Sequence, residues 1–272
     1  MKSNLFLRVV SALVLAPIVL FAIFAGNPAF DILMACLGAL MAWEWVHMIT
    51  GKESYVSVVL TLMSSMVVFF GQSHPLLALS FIVFFAVFLY VKTGKQLLLS
   101  FGSIYIGLPL LSMMYIAYFS DSGSGDLDYS YMYVLWLLFV VWATDIGGYV
   151  VGKTVGGPKL APRISPKKTW SGLIGGMVFS ASVTYVFVLT MNHYFETSLI
   201  MHWLIISSIA LAFISQVGDI FESRIKRYLD IKDSSNLIPG HGGIFDRVDG
   251  LLFAAPVVAI FVLLMNYFKE SL

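Results

Sequence analysis

The chain has 272 residues, of which 59% are apolar and 11% charged, against roughly a quarter charged in an ordinary soluble domain. That is more apolar surface than one water-soluble core can hide, so a soluble globular enzyme is excluded. The formal net charge of +1 identifies no partner, because the placement of charge matters more than its sum; no nucleic-acid partner is expected.

The single cysteine, Cys36, lies in an apolar run, which rules out disulfides within the chain and cysteine-rich zinc sites. The histidines (His47, His74, His193, His202 and His241) show no metal-ligand spacing. A spanning helix needs about 20 mostly apolar residues, with about 17 as the lower limit. On that basis the sequence predicts an all-α, polytopic membrane protein of about nine spans, near Val9–Ala25, Ala29–Ile49, Tyr55–Phe70, Pro75–Val91, Leu97–Phe119, Tyr131–Val151, Gly172–Met191, Leu199–Ile220 and Leu251–Phe268. Lys2 and Arg8 precede the first run as in a signal peptide. The run is too long for a signal sequence and no small-residue cleavage site follows it, so a retained helix is expected. The third and fourth spans are short.

The connecting loops give a test of that count. Lys52, Lys92 with Lys95, the Lys153–Lys168 cluster and the Arg224–Arg247 cluster all follow even-numbered spans. With Lys2 and Arg8 they put every cation but Lys269 on one side. Basic loops face the cytoplasm, so the N-terminus is expected inside and the C-terminus outside. Asp121–Asp128 reads as a solvated, turn-rich connector on the outer side.

Two of the inner stretches carry chemistry. Lys153–Lys168 is purely basic, and Phe221–Gly250 mixes cations with carboxylates. A topology signal with some affinity for anionic lipid accounts for the cations, but not for the carboxylates or glycines. Asp145 and Asp219 sit just inside apolar sequence, where a carboxylate is costly and a functional candidate by default. Glu44, between Trp43 and Trp45, is read instead as an interfacial anchor. If the eighth helix continues past Asp219, then Asp219, Ser223 and Lys226 share one face at spacings of four and three, with Glu222 sharing it less fully. Farther on, Pro239 and the glycines of Pro-Gly-His-Gly-Gly forbid ordinary helix and let backbone N–H groups turn toward an anion. Asp246 and Asp249 lead into the ninth span, where helix capping is the alternative to a metal or phosphate role. His241 is either a proton-transfer or phosphate group or a solvated loop residue. Gly147–Thr154 matches the P-loop pattern letter for letter. It lacks the strand–loop–helix setting that the mechanism needs, so Gly148 and Gly152 are expected to serve close helix packing.

At these stretches the sequence resembles the phosphatidate cytidylyltransferases, or CDP-diacylglycerol synthases. The resemblance rests on Ser223-Arg-Ile-Lys-Arg, Lys232-Asp233, Ser235 and Ile238-Pro-Gly-His-Gly-Gly-Ile-Phe-Asp-Arg-Val-Asp249. A second match joins Asp145-Ile-Gly-Gly-Tyr to Ile164-Ser-Pro-Lys-Lys-Thr-Trp-Ser-Gly172, with Ser171 where the family commonly has glutamate. It implies transfer of CMP from CTP to phosphatidic acid with release of pyrophosphate, in a homodimer embedded in the bilayer of a bacterial inner membrane, its active site facing the cytoplasm. It implies Mg²⁺, and a second ion for which K⁺ is an alternative. Asp219 and Asp246 would hold metal, assisted by Asp145 or Asp249. Ser223, Lys226 and His241 would join Asp219 and Asp246 in catalysis. Ser165, Lys167, Lys168, Thr169, Arg227, Gly242, Gly243 and Arg247 would bind substrate phosphates. Residues 1–120 are expected to scaffold and admit lipid, and 121–272 to form the catalytic region with loops 152–171 and 221–250. The alternatives are a CTP-dependent polyprenol kinase and an ion-coupled transporter.

Overall fold

The computed structural model describes residues 2–52, 54–94, 96–119, 130–194, 199–240 and 242–270. Among them are nine helices: α1 (Lys2–Ala25), α2 (Ala29–Thr50), α3 (Tyr55–Gly71), α4 (Pro75–Lys92), α5 (Leu97–Phe119), α6 (Ser130–Thr154), α7 (Trp170–Tyr194), α8 (Met201–Tyr228) and α9 (Phe245–Glu270). Each predicted span falls within one of them except the eighth, whose expected start at Leu199 lies two residues before α8. Local chemistry sets several ends. Gly51 stops α2 in the left-handed conformation, its N–H donating to His47. The Ser54 hydroxyl accepts from Val56 N–H and caps α3. Pro75 opens α4 at a position where no N–H is needed.

Seven helices are long and apolar enough to cross a bilayer, while Leu13–Ala25 of α1 and all 17 residues of α3 form shorter apolar helices. The connector Asp121–Asp128, Lys95 and His241 lie outside the described residues.

The chain clusters into two compact units. The first comprises residues 1–134, 228–248 and 258–272, so residues 228–248, expected with the later helices, fold with the first five. Its core is built on α2, α3 and α5. Gly38 lets α2 approach closely, since a Cβ there would stand 2.7 Å from Ser64 Cβ. Trp45 is fully buried, its indole N–H donating to Leu98 O and its ring packed against Phe101, Tyr105 and Phe245. Phe245, the first residue of α9, stacks on Tyr105 with centroids 5.7 Å apart. The first turn of α9 is thus seated on α2 and α5.

The second unit comprises residues 135–227 and 249–257. The P-loop-like string is helical throughout, forming the last two turns of α6. Its glycines pack against the glycines that open α7, and a Cβ on Gly172 would stand 2.8 Å from the Gly148 carbonyl oxygen. Gly172→Val is therefore expected to force these helices apart. The cost should be about 1–3 kcal/mol, read as a lower thermal unfolding midpoint in detergent.

Between α6 and α7 runs a hairpin that the sequence reading did not anticipate. Its strands, β1 (Lys159–Ala161) and β2 (Ser165–Thr169), pair antiparallel. Pro162 follows the first strand and the Ile164 N–H closes the turn on Ala161 O, an arrangement that proline favours at the turn's second position. Prolines and adjacent lysines hid these strands from an apolar-pattern search. At the base, Gly172 N–H donates to Thr169 Oγ1, whose hydroxyl contacts Ser171 Oγ at 3.0 Å, and Ser171 in turn donates to Gly156 O. Thr169 so caps α7, and Ser171 ties down the hairpin.

Candidate active site

The candidate residues fall into two groups, one in each unit. In the second unit, α8 does continue through Tyr228, which places Asp219 and Ser223 one turn apart. Ser223 Oγ donates to Asp219 Oδ1 at 3.3 Å. The other oxygen of Asp219 pairs with Lys168 Nζ of β2 at 2.5 Å, with both side chains mostly buried. Lys226 is buried beside Glu222, itself only 2% exposed, and the two form an ion pair of 3.1 Å. Gln216 reaches Asp145 Oδ1 at 3.4 Å. Asp249 lies within electrostatic reach of Asp219, Glu222 and Asp145. This unit thus gathers Asp145, Asp219, Glu222 and Asp249 with Lys168 and Lys226. Close packing permits it: a Cβ on Gly218 would meet Asp249 O at 2.6 Å, and one on Gly250 would meet Ser215 Oγ at 2.2 Å.

Lys167 and Arg227 are exposed and Ser165 is half-buried. Thr169 is buried with its hydroxyl engaged at the start of α7.

The second group is the loop leading into α9, within the first unit. Gly242 adopts φ +82° and pairs across the turn, accepting from Ile238 N–H at 2.8 Å. The backbone donors do turn toward anions, but these are the chain's own carboxylates. Asp246 Oδ2 accepts from Gly243 N–H at 2.9 Å, Ser234 N–H at 2.8 Å and Ser234 Oγ at 2.9 Å. Glu44 accepts from Ile244 N–H at 2.8 Å, Phe245 N–H at 2.9 Å and Ser235 Oγ at 2.6 Å, and lies 3.3 Å from Ser234 Oγ. Gly243 can only be glycine here, because a Cβ would stand 2.0 Å from Ser234 Oγ and 2.4 Å from Glu44 Oε1. Arg247 is exposed.

Two readings need correction. Glu44 is not an interfacial anchor: its exposure is 0%, and it caps α9 from about 200 residues away. Asp249 does not cap α9, since the helix begins at Phe245 and Asp249 sits a full turn inside it. The sequence contained a hint of the Glu44 role, a carboxylate well inside an apolar span. The flanking tryptophans gave it an innocuous explanation.

Among the described residues no three His, Cys, Asp or Glu side chains converge closely enough to enclose a metal ion. The donors present are hard carboxylate oxygens, few at any one point. That set fits Mg²⁺, which commonly takes one or two carboxylates and fills its sphere with water and substrate phosphate. It suits a softer, fully caged ion poorly.

A family model described as the cytidylyltransferase family matches residues 6–265. The chain belongs to the cytidylyltransferase family. It is similar to proteins named phosphatidate cytidylyltransferase in several bacteria. That of Brucella melitensis is 34% identical over 269 residues, covering 95% of this chain and 93% of its relative. Those of Bacillus subtilis and Haemophilus influenzae are 31% and 30% identical, covering 95% and 93% of this chain and 98% and 97% of theirs. The similarity to these cytidylyltransferases therefore includes the five N-terminal helices, one of which supplies Glu44.

Proposed function

We propose that this protein is a phosphatidate cytidylyltransferase, which transfers CMP from CTP to phosphatidic acid and releases pyrophosphate. The observation that carries the reading is similarity to enzymes of that name over nearly the whole of both chains. A phosphate oxygen of phosphatidic acid attacks the α-phosphorus of CTP, the new P–O bond forming as the bond to pyrophosphate breaks. Phosphatidic acid is largely ionised at neutral pH, so no strong general base is required. The protein's work is positioning and charge neutralisation.

Lys167, Lys168, Arg227 and Arg247 are assigned to substrate phosphates, with Lys226 joining them by exchanging Glu222 for a phosphate. Ser165, Thr169, Gly242 and Gly243 frame the same substrates, and His241 is assigned to phosphate contact or proton transfer. Asp219 and Asp246 are the proposed ligands for Mg²⁺, with Asp145 or Asp249 assisting and K⁺ as the alternative second ion. Such ions, when bound, stabilise the attacking and leaving oxygens. Ser223 holds Asp219 Oδ1 and so fixes its carboxylate plane. The basic loops favour a working face at the cytoplasmic side of a bacterial inner membrane, and a homodimer is the proposed unit of function.

Purified protein given phosphatidic acid, Mg²⁺ and CTP labelled in the α- or γ-phosphate tests the reading. Label is expected in the lipid phase only from the α-position, and only with phosphatidic acid present. Transfer from the γ-position would make the protein a lipid kinase. No transfer from either, by folded protein supplied with Mg²⁺ and K⁺, would remove the enzyme reading.

A further inference from the structure

The proposed chemistry leaves one buried charge without a role. Glu44 lies near the end of α2, has no exposed surface, and no Lys or Arg pairs with it among the described residues. Its charge is balanced by hydrogen-bond donors instead, the Ser235 hydroxyl and the Ile244 and Phe245 N–H groups at the start of α9. Groups at that position have no partner within their own helix, and the helix dipole favours a negative charge there. The arrangement extends further. Ser234 Oγ lies 3.3 Å from Glu44 Oε2 and 2.9 Å from Asp246 Oδ2. A serine hydroxyl has one proton, so the shorter contact to Asp246 receives it. Ser235 Oγ then gives its own proton to Glu44 at 2.6 Å. The Ser234 N–H, the Ser234 hydroxyl and the Gly243 N–H that fix Asp246 all belong to a loop clasped on both sides by one carboxylate of α2.

We propose that Glu44 is a positioning residue for cytidylyl transfer, which caps α9 and, by binding Ser235, Ile244 and Phe245 beside the Ser234 and Gly243 donors, holds the Asp246 carboxylate in its working orientation. The inference rests on the cytidylyltransferase reading above. It also gives the N-terminal helices a part in the chemistry beyond crossing the membrane.

Glutamine in place of glutamate is a sharp probe. Oε1 receives the Ile244 N–H and Oε2 the Phe245 N–H, so whichever way the glutamine amide is turned, its NH₂ faces one backbone donor. A hydroxyl can rotate to adapt, but an amide N–H at a helix start cannot. Glu44→Gln is therefore expected to loosen the loop while keeping volume and polarity.

The test combines steady-state kinetics with hydrogen–deuterium exchange on the full-length protein in detergent. Glu44→Gln should raise amide exchange within residues 234–250 and leave other segments as in the wild type. Its kcat should fall roughly 10–100-fold, with KM for CTP and phosphatidic acid little changed and a higher Mg²⁺ concentration needed for half-maximal rate. Glu44→Asp, which keeps the charge but shortens the reach, should fall between. Ser234→Ala should reproduce the Mg²⁺ shift, and the Glu44→Gln/Ser234→Ala double variant should be no worse than the poorer single one, as for residues acting in one chain. Unchanged exchange in 234–250, or a normal kcat and Mg²⁺ requirement in Glu44→Gln, would overturn the proposal. So would exchange rising throughout α2 and α5 with full turnover per folded molecule, which is the signature of a merely structural residue. If the wild type transfers no CMP, the enzyme reading falls by itself, and the exchange measurement still decides whether Glu44 holds the loop.

Discussion

Asp246→Asn is expected to lower turnover roughly 10²–10³-fold, the size of effect seen when one charge-stabilising group is removed from a preorganised site, and to leave the protein folded. The geometry separates the two consequences. Asp246 Oδ2 receives Gly243 N–H, Ser234 N–H and Ser234 Oγ. An asparagine that places its carbonyl oxygen there keeps all three bonds, and loses only the negative charge and the acceptor at Oδ1. Thermal unfolding should then match the wild type while CMP transfer collapses. Asp246→Ala makes the contrast: three donors lose their acceptor at once, and each unsatisfied buried group costs about 1–3 kcal/mol. That variant should lose stability as well as activity. A normal rate in folded Asp246→Asn would remove Asp246 from the proposed metal ligands.

The different behaviour of these two variants bears on what a sequence can reveal. The helices were legible because the apolar runs are long and end at polar or turn-forming residues. The continuation of α8 was legible too, since charged residues at spacings of three and four betray a helix after the apolar stretch ends. Gly148 and Gly152 were read correctly as packing positions because a P-loop requires a strand that no residues upstream supply. The Gly-His-Gly-Gly segment was legible as a loop whose N–H groups seek an anion, but not as one that already holds two. A helix cap supplied from about 200 residues away leaves no periodicity to detect. Glu44 meets Ile244 only once α2, α5 and the start of α9 have packed around Trp45 and Tyr105. Likewise the β1–β2 hairpin is held by polar turn chemistry at Pro162, Thr169 and Ser171, and strands of lysine and proline carry no alternation of apolar residues.

The pair between Lys168 and Asp219 leads to the second large effect, and a double variant is needed to interpret it. Asp219→Asn strips Lys168 of its counter-charge in a place where the lysine and aspartate side chains are only 17% and 27% exposed. Leaving an ammonium unpaired there should cost on the order of 2 kcal/mol, between the limits for exposed and for fully buried pairs. The same substitution removes a proposed metal ligand, so turnover should fall roughly 10²–10³-fold. Lys168→Met alone leaves the carboxylate without its counter-charge and removes a cation proposed to bind phosphate, and should raise KM for CTP about tenfold, equivalent to ~1.4 kcal/mol. In Lys168→Met/Asp219→Asn neither charge remains to be compensated. Stability should return toward that of the wild type, giving a coupling energy that the two single variants cannot show. Activity should not return, because the carboxylate is still missing. Thermal unfolding and α-labelled CTP transfer, measured on all four proteins, separate these contributions. Recovery of both stability and turnover in the double variant would mean that Asp219 serves only to neutralise Lys168, and the metal would then have to be sought at Asp145, Asp246 or Asp249.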